Sequence, residues 1–182
     1  MFRFDMTKTI QAAAVLLRSH PLHSMSRLRL LKLLYIADRE SLRDTGRPIT
    51  GDRAVAMKHG PVLSETYDLI KGEHVRAAEW DEWFETAGYD VRLAKDPGVG
   101  RLSKYEIAKL QEVARRFEYE WDWALAEATH EFPEWKRNDP GDSSRPIPFE
   151  HILKAVGRED EIQAIREEAR AAHLIHRLLG VD

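Results

Sequence analysis

The chain has 182 residues and a formal net charge of -3, with 43% hydrophobic and 32% charged residues. This length suits one domain, and the composition allows a buried core in a soluble chain. Cysteine is absent, which excludes a disulfide framework, a thiolate nucleophile and a cysteine-based zinc site. No apolar run approaches the roughly 20 residues that span a bilayer. We therefore expect a cytoplasmic protein without a membrane segment.

The charge is unevenly distributed along the chain. Residues 1–61 contain 11 Lys/Arg and 5 Asp/Glu, a balance of +6, whereas residues 62–182 contain 17 and 26, a balance of -9. Such a split predicts a surface with faces of both signs. A basic face suits nucleic acid and an acidic face suits a basic protein, and the composition leaves both alternatives open.

Two helices are predicted in the N-terminal third. The first spans about Thr7 to Ser19, with Thr7 as its N-cap. The second spans about Ser26 to Thr45, and Gly46 directly after it is a typical stop signal. The apolar residues of the second helix recur at helical spacing: Leu28, Leu31, Leu34, Tyr35 and Leu42. Asp38 lies on or beside this stripe, and such a carboxylate is usually hydrogen-bonded or paired.

A corner rich in glycine and proline follows the second helix. We predict a short strand from Arg53 to Lys58, and a helix that Ser64 caps and that ends at Lys71-Gly72. Arg47 or Arg53 is the predicted partner of Asp38. Rigid, charged loops often carry binding residues, and the polar candidates are Asp52, Arg53, Lys58 and His59. The alternative is that the corner only lays a short strand against two helices.

The middle of the chain contains a second strand and the longest predicted helix. Tyr89, Val91 and Leu93 alternate as in a strand, which we pair with the Arg53–Lys58 strand. A capping box, Ser103 to Glu106, begins a helix that we extend to about Thr129.

The C-terminal half of that long helix combines acidic and aromatic residues. We place Trp121 on the buried face and Trp123 on the opposite side, flanked by the acids Glu120 and Asp122. An outward tryptophan among acids suits a protein contact, because tryptophan is enriched at interface hot spots. The alternative is that other parts of the domain cover Trp123.

The remaining C-terminal elements are helical. We predict one helix from Pro148 to about Val156 and a last one from Glu159 to Leu179, with Gly180 as its stop. The fold class is therefore mostly α (α+β): a single helical domain over residues 1–182 with a small antiparallel sheet or hairpin.

No catalytic constellation is recognisable, so we do not expect an enzyme, a cofactor or a metal. The chain lacks a nucleophile elbow, a zinc-protease motif, a phosphate-binding loop and a kinase signature. His130 stands without a predicted catalytic partner and is interpreted as structural. A helix-turn-helix in the basic N-terminal third remains an alternative, which would make the protein a DNA-binding or phage-associated regulator.

Three consecutive segments together resemble one known family. They read KLLYIADRES, GRPITGDRAVAMKHGPV and SETYDLIKG, and a later segment, LSKYEIAKLQEVARRF, precedes Thr129, His130 and Trp135. This order resembles the Panacea domain, also called the SocA-like antitoxin domain, from about Lys32 to about Lys136. The family pattern also matches Lys32, Leu33, Tyr35, Asp38, Gly46, Arg47, Pro48, Thr50, Gly51, Lys58, Gly60 and Pro61.

The resemblance implies an antitoxin that neutralises a toxin by direct protein–protein contact. The toxin would be encoded beside it, and a further implied role is that of an adaptor that delivers the toxin to a protease. We expect no membrane partner and no nucleic-acid partner. The residues that we expect to contact the toxin are Asp52, Arg53, Lys58, His59, Glu120, Asp122, Trp123, His130 and Trp135.

Overall fold

Helices make up most of the structure, a computed structural model that describes residues 2–179 apart from the side chains of His176 and Leu179. In chain order the helices are α1 (Met6–Arg18), α2 (Arg27–Thr45), α3 (Ser64–Lys71), α4 (Ala77–Asp81), α5 (Lys104–Arg116), α6 (Asp122–His130), α7 (Pro133–Arg137), α8 (Phe149–Ala155) and α9 (Ile162–Leu179). Short 3-10 turns cover Pro21–His23 and Glu159–Glu161. The predicted stop at Gly180 lies outside the described residues.

The strands form two antiparallel sheets of three strands each. They are β1 (Ser24–Ser26), β2 (Ala54–Met57), β3 (Gly60–Leu63), β4 (Phe84–Ala87), β5 (Asp90–Leu93) and β6 (Arg145–Pro146). The order is β1-β5-β4 in one sheet and β3-β2-β6 in the other. The predicted fold class, mostly α with small antiparallel sheets, is confirmed.

The predicted pairing of the two strands was wrong. β5 does not pair with β2, but forms a hairpin with β4 and pairs with β1 on its other side. β2 instead forms a tight hairpin with β3, in which Met57 faces Gly60 across the turn at Lys58 and His59. Strand alternation alone does not select a strand's partner, and the sequence pattern did not predict β3.

Helix α2 lies at the centre of the fold and is buried on more than one face. It packs against α1, α5, α6, α8 and β3. Its predicted bounds, about Ser26 to Thr45 with Gly46 as the stop, are confirmed: Oγ of Ser26 caps the helix by accepting a hydrogen bond from the backbone N–H of Arg29, and Gly46 has φ of +74°. Burial extends beyond the predicted apolar stripe to the polar side chains Arg29, Lys32, Asp38 and Glu40.

Asp38 shows how such a buried polar group is accommodated. Its predicted partners, Arg47 and Arg53, were wrong, because the carboxylate binds backbone instead. Oδ1 accepts hydrogen bonds from the N–H groups of Ile49 (2.9 Å) and Thr50 (3.0 Å), and Oδ2 accepts one from the Thr50 hydroxyl. Burial raises the pKa of Asp38 to about 7, although these donors favour the ionised form. Asp38 therefore ties the extended segment after Gly46 to α2.

Two helix starts differ from their prediction and one agrees with it. Asp5, not Thr7, caps α1, since its Oδ1 accepts a hydrogen bond from the N–H of Lys8 at 2.9 Å. The carboxylate that caps α3 comes from Asp52, at the end of the preceding corner. The predicted capping box of α5 is confirmed, with both reciprocal bonds between Ser103 and Glu106.

The long helix predicted from Ser103 to Thr129 is wrong, because it is broken into α5 and α6 at residues 117–121. Trp121, predicted to be buried, precedes α6 and is 83% exposed. The segment contains no glycine or proline, so the sequence lacked the usual signal for a break. Within residues 2–179, no helix has both the length and the apolar content to cross a bilayer.

The Asp38 contacts predict a large stability loss on truncation. Asp38→Ala leaves two buried N–H groups and a hydroxyl without acceptor, so the free energy of unfolding should fall by about 3 kcal/mol or more. Asp38→Asn retains an acceptor oxygen and avoids a buried charge, and should cost less than about 1 kcal/mol. Urea denaturation at pH 8 measures both variants. Equal losses in the two variants would show that the acceptor geometry is unimportant.

Candidate partner-binding site

Asp52, a predicted contact residue, has a structural role as the cap of α3. Its carboxylate accepts hydrogen bonds from the N–H groups of Glu65 (3.0 Å) and Thr66 (2.9 Å) and from the hydroxyl of Thr66 (2.8 Å). These first-turn amides of α3 have no acceptor within the helix. Burial raises the pKa of Asp52, and the donors oppose this rise. The neighbouring Arg53 is exposed and forms an ion pair with Glu65.

The tip of the β2–β3 hairpin carries two further predicted residues, and both are exposed. Lys58 forms an ion pair with Asp142 at 3.2 Å. The ring of His59 packs edge-on against Trp123, with centroids 5.1 Å apart and planes at 79°. Because Trp123 lies in the first turn of α6, the structure brings together residues that are more than 60 positions apart in sequence.

These residues border a groove of about 940 Å³ between α2, α6 and the β2–β3 hairpin. We call it the cationic groove and define it by Arg27, Lys32, Lys58, His59, Lys71 and Trp123. Asp122 also lies on its wall. Four of the nine predicted contact residues therefore meet at one concave surface: Lys58, His59, Asp122 and Trp123.

Lys32 lies beneath the floor of this groove, with no exposed surface. Its Nζ donates a hydrogen bond to the carbonyl oxygen of Pro61 at 2.7 Å, and so covers an outward carbonyl of β3. No carboxylate of residues 2–179 lies within ion-pair distance of Lys32 to balance its charge. Burial lowers the pKa of Lys32 to about 7. The ammonium is thus poorly solvated and close to a surface that could receive an anion.

Gly60 allows β3 to approach this ammonium. Its φ of +91° is in the region that favours glycine, and a Cβ there would overlap Oγ1 of Thr129 and lie 2.9 Å from Nζ of Lys32. His130 lies on the same side, with Cδ2 at 3.4 Å from that added Cβ. Family-pattern residues from three distant segments therefore converge here: Lys32, Gly60, Thr129 and His130.

His130 and Trp135, both predicted contact residues, are half-buried and stack on one another. Their ring centroids are 4.3 Å apart, with planes at 26°. Nε1 of Trp135 donates a hydrogen bond to the carbonyl oxygen of Met57 at 3.1 Å, which joins α7 to β2. The buried Nε2 of His130 has no hydrogen-bond partner among the described residues. Both residues therefore lie against the two ends of the hairpin turn, Trp135 at Met57 and His130 at Gly60.

Buried Arg29 holds the break between α5 and α6. Its guanidinium donates hydrogen bonds to the carbonyl oxygens of Phe117 and Glu120, the latter at 2.8 Å, and to Oδ1 of Asp122 at 3.0 Å. The hydroxyl of Ser26 donates to the other oxygen of Asp122. Both carboxylate oxygens of Asp122 therefore already have partners on or beside α2. The guanidinium satisfies carbonyls that a continuous helix would have used, which is why the helix ends here.

The segment that Arg29 binds exposes three large aromatic side chains. Residues 118–123, which we call the aromatic loop, present Tyr119, Trp121 and Trp123 with exposed fractions of 88%, 83% and 62%. Glu118 and Glu120 lie between them, and both are exposed. Exposed aromatic clusters with charged neighbours are typical of interaction surfaces. Of this loop, the sequence identified Glu120, Asp122 and Trp123, but it missed Tyr119 and placed Trp121 in the core.

Arg27, Arg29 and Lys32 were also missed as site residues. A helical periodicity shows which residues face a core, but it does not show that a polar residue on that face reaches a neighbouring loop. Arginine and lysine are rarely buried without a partner, so their presence near the apolar face of α2 was the one feature of the sequence that indicated such contacts.

The environment of Lys32 predicts a pH-dependent stability. The folded pKa of about 7 lies below the ordinary value of 10.5, so between these pH values the unfolded chain binds more protons. The contribution of Lys32 to the free energy of unfolding should therefore rise by a few kcal/mol as the pH rises from 7 to 10. Urea denaturation of wild type and Lys32→Met across this range measures the change.

The matched control for Lys32 is Lys104→Met, because Lys104 is exposed. The difference between wild type and this control should not change with pH. A pH-independent difference for Lys32→Met as well would contradict the burial of its ammonium.

Comparison with known proteins shows which family this chain resembles. The family profile described as "Antitoxin SocA-like, Panacea domain" matches residues 30–136. No curated protein and no solved structure matches the chain. The matched range begins in α2, ends in α7, and contains the hairpin, Lys32 and the aromatic loop. The chain therefore belongs to the SocA-like antitoxin family with a Panacea domain.

Proposed function

We propose that this protein is a cytoplasmic antitoxin that neutralises a toxin encoded beside it by direct, stoichiometric binding. The observation that supports this most is the aromatic loop, which exposes two tryptophans and a tyrosine on a backbone held by Arg29. Family membership supports the antitoxin class. The loop supports contact with another protein as the means of action, because tryptophan and tyrosine are enriched at binding hot spots.

The rigidity of the loop favours tight binding. One buried guanidinium bonds to four acceptors of residues 117–122, namely three carbonyls and the carboxylate of Asp122, so the loop has little conformational freedom left to lose on association. Pre-organised contacts avoid the entropy cost that a flexible loop would pay. Glu118 and Glu120 add negative charge at the rim, which would accelerate encounter with a basic toxin.

Two other functions have less support. A helix-turn-helix requires a free helix in the basic N-terminal third, but α1 is largely buried from Thr9 to Leu17 and α2 forms the centre of the core. Catalysis would require a polar constellation around His130, which instead stacks on Trp135. We therefore propose binding without catalysis, and a protease-adaptor role remains a second activity of the same complex.

Co-expression with the adjacent open reading frame tests the proposal. The neighbour alone should stop growth, and the present protein should restore growth and co-purify with the neighbour. A harmless neighbour, together with salt-dependent retardation of the promoter fragment by this protein, would favour the regulator alternative.

The aromatic loop predicts which variants lose neutralisation. Trp121→Ala and Trp123→Ala should each weaken toxin binding by about 30-fold or more, since hot-spot truncations cost about 2 kcal/mol. Glu120→Lys should slow association with a basic toxin. Binding is measured by surface plasmon resonance, alongside growth rescue. Both tryptophans are exposed, so the melting temperature should change little.

Matched controls separate contact from general surface effects. Val75→Ala truncates an apolar side chain that is 97% exposed outside the loop, and Glu82→Lys reverses an exposed acid outside it. Both controls should bind and rescue as wild type does. If the three loop variants also behave as wild type, the aromatic loop does not contact the toxin.

A further inference from the structure

The cationic groove beside the aromatic loop carries more positive charge than its own carboxylates neutralise. Of its two acids, Asp122 is paired with Arg29 at 3.0 Å, and Asp142 is paired with Lys58 at 3.2 Å. Lys71 pairs with Glu73, which lies outside the groove lining. Arg27, and Lys32 in its protonated form, are then left without a carboxylate within ion-pair distance among residues 2–179.

We infer that this groove binds an acidic segment of the partner protein, with carboxylates toward Arg27 and Lys32 and an apolar side chain on the groove floor. This inference rests on the proposed function, since the segment belongs to the same toxin that contacts the aromatic loop. It adds the chemistry of a second contact: the toxin would present an acidic, partly apolar segment next to its basic surface.

Arg27 is positioned to receive a carboxylate. Its guanidinium lies over the ring of Tyr89, 4.4 Å from the centroid, and is half-exposed. Its backbone N–H donates to the carbonyl oxygen of Tyr89 at 2.7 Å, so the residue is fixed at both ends. A guanidinium that lies over a ring still has N–H donors for the two oxygens of a carboxylate.

Lys32 adds to this preference from below. A carboxylate that enters the groove would favour the charged form of the buried ammonium, which at present has a single acceptor, the Pro61 oxygen. Because Lys32 has no exposed surface, a carboxylate on the groove floor would act on its charge through space and leave the bond to Pro61 in place. The partner would thus supply the counter-charge that the fold itself does not provide.

The floor and walls of the groove also offer apolar surface. Leu28, Met57 and Tyr67 line it and are half-buried, and Trp123 closes the side shared with the aromatic loop. The volume of about 940 Å³ is at the upper end of ordinary ligand sites. A short peptide segment with one or two apolar side chains fits both the size and this lining.

The surroundings favour a peptide over a nucleic acid. A single strand needs a continuous basic track for successive phosphates. Here the groove ends at the aromatic loop, where Glu118, Glu120 and Asp90 are exposed and would repel a phosphate backbone. A short segment with a few carboxylates ends before it reaches these acids.

The test uses a defined probe and the full chain. The probe is a fluorescein-labelled hexapeptide of four glutamates and two leucines, and binding is followed by fluorescence anisotropy. We expect saturable binding that Arg27→Glu weakens by more than about tenfold. A hexapeptide with lysines in place of the glutamates should not bind. A six-nucleotide single-stranded RNA is measured in the same way.

Lys104→Glu is the matched control for Arg27→Glu. Each substitution reverses a charge at the first residue of a helix, where a glutamate favours the helix dipole, so neither should unfold the chain. The control should bind the acidic probe within about twofold of wild type. No probe binding, or equal binding by the two variants, would overturn the inference. RNA binding as tight as that of the acidic probe would overturn it too.

Growth rescue and toxin binding by the same pair separate this inference from the proposed function. If wild type and Lys104→Glu neutralise the toxin and Arg27→Glu does not, the groove takes part in neutralisation. If Arg27→Glu neutralises as wild type does, the groove inference is wrong while the antitoxin function stands. If wild type fails to neutralise the neighbour, the proposed function is wrong, and so is the inference that the groove binds a segment of that toxin. The probe measurement then still shows whether the groove binds acidic peptides.

Discussion

The structure depends on one constraint: helix α2 is buried on several faces, yet it carries polar side chains that must find partners inside the protein. Each of them binds a different part of the chain. Arg29 holds the break before α6, Lys32 covers β3, and Asp38 binds the segment after Gly46. Glu40 pairs with Arg116 on α5. A buried polar group without a partner would cost a few kcal/mol, so these contacts strongly restrict how the surrounding elements can be arranged.

The candidate interaction surfaces are consequences of the same contacts. Because Arg29 binds carbonyls that a continuous helix would use, the chain turns at residues 117–121 and exposes its aromatic side chains. Because Lys32 bonds to Pro61, the hairpin lies close to α2, and the exposed tip at Lys58 and His59 faces α6. The buried face of α2 thus determines the geometry of surfaces that lie several residues away from it.

The two surfaces have opposite charge and share Trp123. The aromatic loop is acidic, whereas the neighbouring groove has unbalanced cations. A partner that matches both must carry both signs in the correct order, which favours specificity over affinity alone. This arrangement also agrees with the uneven distribution of charge along the sequence, since Arg27 and Lys32 come from the basic N-terminal third and the acids of the loop from the acidic remainder.

The sequence by itself determined the local features. The bounds of α2, the stop at Gly72, the capping box at Ser103 and the strand around Val55 follow from capping residues and periodicity, which act over a few positions. The family pattern likewise depends on adjacent residues. Four of the residues predicted as contacts, with Lys58 and Trp123 among them, line the groove, and whether they contact a partner stays a prediction.

Only the tertiary structure decided which distant elements meet. It paired β5 with β4 and β1 rather than with β2, ended α5 where no breaking residue stands, and assigned Asp52 to the cap of α3. The physical reason is the same in each case. A buried donor, acceptor or strand edge can pair with any chemically suitable group. Which group it pairs with depends on which elements lie next to it in space.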